Sequence, residues 1–181
     1  MAWAVAVHDR ADLRDRSRGV DRRIVFVHVL SALALMATHG VSIALCFRIR
    51  RARSIEDARP ILDLSASMQG AMYAAFAFVG VSGIAAGIFG EWWRNGWFWV
   101  SVALLVAMVG IMTPYGANAF NRIRRAAGLP HFGEGRRPQP AIPPDLPAMP
   151  HAIDATRPAI LATAGLGGAA ILTWLMMFKP F

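Results

Sequence analysis

The sequence is poor in charge and almost free of lysine and cysteine. Charged residues make up 17% of its 181 residues, where a soluble domain carries about a quarter. Cys46 is the sole cysteine, which excludes an internal disulfide and says little about redox compartment. Lys179 is the sole lysine, so positive charge otherwise rests on arginine, a bias of base composition that carries no functional meaning. No stretch has the spacing of a phosphate-binding glycine loop, a nucleophile elbow or a zinc-binding histidine pair on a helix. The chain therefore reads as leaning away from an enzyme.

What the sequence does have is apolar residues, at 56% of the total. Such an excess demands an apolar solvent. Four runs are long enough to span a bilayer, over about 24–46, 67–90, 97–120 and 158–178, and none contains Asp, Glu, Lys or Arg. The expected fold is all-α, a polytopic transmembrane four-helix bundle. It divides into a charged N-terminal tail over 1–22 and a four-span membrane domain over 23–181, with a Pro-rich loop over 126–156. The first run is longer than the 7–15-residue core of a signal peptide, and Arg48, Arg50, Arg51 and Arg53 follow it where a cleavage site would need small residues, so it is a permanent span. The pair Arg157-Pro158 opens the fourth span, with proline in the first turn.

The formal charge of +8 raises nucleic acid as a partner, but the arginines lie between and beside the apolar runs, as juxtamembrane anchors do. No nucleic acid is expected; the bilayer is, with other membrane subunits or a second copy of the chain as further partners. Arg48, Arg50, Arg51, Arg53 and Arg59 sit in the first connection, and Arg122, Arg124, Arg125, Arg136, Arg137 and Arg157 in the third. The second connection holds only Arg94. The positive-inside rule then makes loops one and three cytoplasmic in a bacterial inner membrane, with both termini outside. Arg10, Arg14, Arg16, Arg18, Arg22 and Arg23 argue the other way, partly offset by Asp9, Asp12, Asp15 and Asp21. Trp92, Trp93, Trp97 and Trp99 flank the second connection as an interfacial belt. Six prolines between Pro138 and Pro150 predict an extended, poorly ordered third loop.

The run of features resembles a family. His28 early in the first span, a basic first loop, the stretch Gly80-Val-Ser-Gly83-Ile-Ala-Ala-Gly87, a Trp-led third span and the ending Trp174-Leu-Met-Met-Phe-Lys179-Pro180 look like the uncharacterised four-helix bacterial integral membrane proteins. That group is itself distantly similar to the membrane domain of copper-resistance D-type proteins. The resemblance covers roughly Ile24 to Phe181 and implies a fold more than a function.

The residues that stand out within the spans are few. His28 and His39 fall within about 20° of one helix face, about 16 Å apart, with Ser42 and Cys46 extending the stripe. An intramembrane histidine faces the bundle interior or a partner. Two readings remain open: hydrogen bonds to neighbouring helices, or ligation of haem b or copper by His28 and His39 with Met112 as a soft partner at the depth of His39. Met72 and Tyr73 share that depth, while Met108 and Met112 at helical spacing also suit a plain core. Gly83 with Gly87, and Ala164 with Gly168, give small-xxx-small steps that let the second and fourth helices approach closely. Pro114 is expected to kink the third span beside Tyr115, Asn118 and Asn121. An accessory or structural membrane component is the leading reading; the alternative is a small haem- or copper-handling membrane protein, and a transporter ranks last because no charged coupling site lies within a span.

Overall fold

Four helical stretches, Arg22–Ile49, Ile55–Phe89, Gly96–Ala126 and Ala148–Phe178, are long and apolar enough to cross a bilayer, and they pack as an all-α bundle in the computed structural model. The protein is a multi-pass membrane protein whose helices contact lipid. The structure describes residues 2–132 and 137–181, with side chains from residue 22 onward. Arg136 lies outside the described residues, as do the side chains of the tail arginines and aspartates before Arg22.

Helix α1 runs Ala2–Ile49, so the tail expected over 1–22 and the first span share one helix. At about 1.5 Å per residue it is about 72 Å long, more than twice the hydrocarbon core. Helix α2 runs Ile55–Phe89 and starts well before the apolar run at Ser67. Ser54 explains the early start: its Oγ accepts from the Asp57 N–H at 3.2 Å, and Glu56 and Asp57 occupy the positive first turn. The apolar run marks what lipid covers, and the cap marks where the helix begins.

Helix α3 runs Gly96–Tyr115 and α4 runs Ala117–Ala126, joined at Gly116, whose φ of −101° and ψ of −89° leave the helical region. The kink expected at Pro114 is met by a break two residues later, at a glycine, the residue freest to leave helical angles. The fourth span contains α6 (Pro158–Ala162), a π-helical turn over Thr163–Gly167, and α7 (Gly168–Phe178).

The third loop departs from expectation. Strands β1 (His131–Phe132) and β2 (Pro138–Gln139) pair antiparallel, and helix α5 (Ala148–Asp154) follows. Met149 and Ile153, one helical turn apart, are 6% exposed each and anchor α5 in the core. The prolines stop regular structure between Pro140 and Pro147 but leave this apolar pair free to bury.

Two separate clusters hold the bundle. The larger lies at the arginine-rich end and joins Cys46 and Ile49 of α1, Leu62 of α2, Phe120 and Ile123 of α4, and Met149 and Ile153 of α5. The smaller lies at the tryptophan end, where Trp97 and Phe98 of α3 meet Leu175 of α7. There the chain end is clasped: Lys179 Nζ sits 4.4 Å from the Trp92 ring centre, and the Trp97 N–H donates to the Phe181 carbonyl at 3.2 Å. Around the bundle, α1 lies along α2, α7 along α3, and α6 between α1 and α3. The second and fourth spans therefore stand diagonally opposite.

Candidate functional site

Between the two clusters the first three spans, with Leu161 of the fourth, line a chamber of about 540 Å³. Its inner wall is apolar, from Leu35 and Met36 on α1, Met72 and Phe76 on α2, and Leu105, Met108 and Val109 on α3. Toward the arginine-rich end the lining turns polar, with Gln69, Tyr73, Asn121, Arg124 and His131, and the hairpin residues Phe132, Pro138 and Gln139 form its roof. Two of these residues build that roof. Asn121 Oδ1 accepts from the Phe132 N–H at 2.7 Å while its Nδ2 donates to the Phe132 carbonyl, so the hairpin is pinned to α4 through a two-way amide clamp. Arg124 Nε donates to the Pro130 carbonyl at 2.7 Å and Nη1 to the Leu62 carbonyl at 2.9 Å, with Asp63 at 3.4 Å. One guanidinium thereby ties α2, α4 and the loop together.

The two intramembrane histidines are parted by this geometry. His39 lies on the chamber wall with Met108 and Met112, and His28 lies outside it. His39 is 2% exposed, and its Nε2 meets the Leu161 carbonyl at 3.3 Å. A carbonyl only accepts, so Nε2 carries the proton and Nδ1 the lone pair. Leu161 sits just before the π turn over Thr163–Gly167, where the helix widens and the His39 ring inserts against it. Gly165 makes the insertion possible: a Cβ there would stand 1.8 Å from His39 Nε2. This glycine was not among the small-residue steps read from the sequence, because its partner is a side chain on another helix and not a residue four positions away.

His28 is half-buried and faces α2. Ser82 Oγ donates to the Phe78 carbonyl of its own helix, so it accepts from His28 Nδ1–H at 3.1 Å. A Cβ at Gly83 would lie 3.1 Å from His28 Cε1, and one at Gly87 would lie 2.7 Å from the Phe98 ring. Gly168 receives the Met108 thioether, whose Sδ would stand 2.3 Å from a Cβ there. Ala164 is half-buried beside it. The small residues thus seat large side chains from adjacent helices, α1 and α3, and do not bring the second and fourth spans together.

Among the described residues no group of three or more His, Cys, Asp or Glu lies close enough to hold a metal ion. For haem, His39 and Met112 share a chamber, yet the histidine nitrogen that normally ligates iron is turned away toward Leu161 and Gly165. Ligation through Nε2 requires the ring to leave the fourth span, whereas Nδ1 keeps its lone pair. Met108 is likewise engaged, packed into the notch at Gly168. No protein-family model matches the chain, and neither does any curated protein or solved structure.

Proposed function

We propose that the protein is an accessory component of a bacterial inner membrane, working through contacts with other membrane chains and not through chemistry of its own. The observation that carries this reading is the commitment of both intramembrane histidines to neighbouring helices, His28 to Ser82 and His39 to Leu161. Groups used in this way fix helix placement. The first span supplies the contact face: only 6% of its most apolar stretch is buried in the bundle, against 22–28% for the other spans. Phe26, Leu30 and Leu33 are 66%, 54% and 62% exposed along it.

A photoreactive amino acid placed at each of these three positions in cells tests the reading. A discrete adduct with one other membrane polypeptide, or with a second copy of the chain, is expected. Adducts with lipid alone at all three positions would overturn it.

The second reading is haem b or copper held at His39 with Met112. It is supported by their shared chamber and motivated by the likeness to the membrane domain of copper-resistance D-type proteins. Its measurement is a visible spectrum with metal analysis on protein from cells supplied with both; a Soret band or stoichiometric copper, lost in His39→Ala, would replace the first reading with this one.

A further inference from the structure

The chamber is bounded by lipid-embedded helices, apolar along most of its length and polar at one end, which is the outline of an amphiphile. We propose that it binds one molecule of a prenylated quinone-type amphiphile: a slim apolar tail on a flat, uncharged head with hydrogen-bond acceptors at both ends. Its volume of about 540 Å³ lies within the usual range of ligand sites.

A ligand of this kind enters from the bilayer, and two lining residues, Tyr73 and Val109, are 44% and 38% exposed. The tail then lies against Phe76, Leu105 and Leu35. The polar end has two tiers. In the deeper one Gln69 Nε2 donates to Tyr73 Oη at 3.3 Å, which fills an oxygen lone pair and leaves the phenolic proton to donate to a ligand carbonyl. Nearer the arginine-rich end stands Arg124, whose Nη2 takes no part in its bonds to Pro130, Leu62 and Asp63 and is a donor to a second ligand carbonyl. Donors at two levels suit a head with a carbonyl at each end.

Among the described residues Arg124 is the one charged side chain on the lining, and Asp63, which also pairs with Arg59, lies 3.4 Å from it. Part of the Arg124 charge is thus already engaged, and a head that only accepts hydrogen bonds needs no full counter-charge there.

This inference stands apart from the accessory reading, since it concerns the chamber and not the outer face of the first span. The test uses the full chain in lipid nanodiscs with a two-isoprene benzoquinone as probe, and oleate and phosphatidylglycerol as comparators, read by native mass spectrometry. Saturable one-to-one binding of the quinone is expected. It should be abolished by Leu105→Trp, which fills the tail channel, and weakened about tenfold by Tyr73→Phe, which removes one hydrogen bond at unchanged volume. The isosteric variant keeps the test decisive even where the tryptophan variant misfolds. No saturable binding, equal binding by Tyr73→Phe, or tighter binding of oleate or phosphatidylglycerol would each overturn the proposal.

Discussion

Replacing Gly165 by alanine should be among the most damaging single-methyl changes in this bundle. The added carbon would stand 1.8 Å from His39 Nε2, 2.5 Å from Cδ2 and 2.9 Å from Cε1, so the ring must move. Overpacking a close-packed site costs about 1–3 kcal/mol. Displacing the ring also breaks the bond to Leu161, worth about 0.6 kcal/mol on average and up to about 1.7 for an intramembrane hydrogen bond. The sum is about 2–4 kcal/mol. Gly167→Ala, two residues on, meets nothing within 4 Å. It should be neutral or stabilising, since alanine is better than glycine inside a helix by about 0.5–1 kcal/mol.

The same contact predicts a coupling. In a His39→Ala background the space for the methyl exists already, so Gly165→Ala should cost almost nothing there. The interaction energy of the double-mutant cycle should then be about 2 kcal/mol, within the range for residues in contact. Thermal unfolding in detergent, followed by helical circular dichroism, measures all four proteins. Equal costs for Gly165→Ala in the two backgrounds would show that His39 does not occupy the notch, and would remove the basis for joining the first and fourth spans through it.

Gly83→Leu and Gly87→Leu should both destabilise the bundle, by driving into His28 and Phe98 respectively, while Gly80→Leu, with nothing within 4 Å, should not; thermal melts in detergent rank the three. Ser82→Ala should lower stability by about 0.6 kcal/mol or somewhat more, and by less in a His28→Ala background, because the hydroxyl's one interhelical partner is that ring. Lys179→Ala should cost about 0.5–1 kcal/mol through loss of the cation held over Trp92, read as a lower melting temperature with a changed tryptophan emission. Reporter fusions after Ala127 should read cytoplasmic and fusions at Asn95 outside, given the arginine-rich first and third connections; the reverse pattern would show that the N-terminal arginines set orientation.

Span number and class were legible because lipid imposes a length and an absence of charge that any reader of the sequence can count. Helix ends were not, since they depend on caps and on single residues: Ser54 carries α2 outward past the apolar run, and the third span breaks at Gly116, two residues past Pro114. The third loop misled because composition averages over residues, and α5 rests on two of them, Met149 and Ile153, in a stretch otherwise full of proline.

The candidate site shows the deeper limit. Helical periodicity placed His28 and His39 on one face of α1, and a shared face suggested a shared task. A face of one helix, however, looks onto two different neighbours over about 16 Å, and here the upper histidine meets α2 while the lower meets the fourth span. The residue that determines the second contact, Gly165, is one of several glycines in its stretch, and only the position of the imidazole across the bundle distinguishes it from Gly167. The chamber is legible in neither helix alone, because it is the space left where α1, α2 and α3 separate between two well-packed ends. A sequence of this kind therefore discloses its solvent and its span count through local pattern, while its interior chamber resides in pairings between helices that have no local signature.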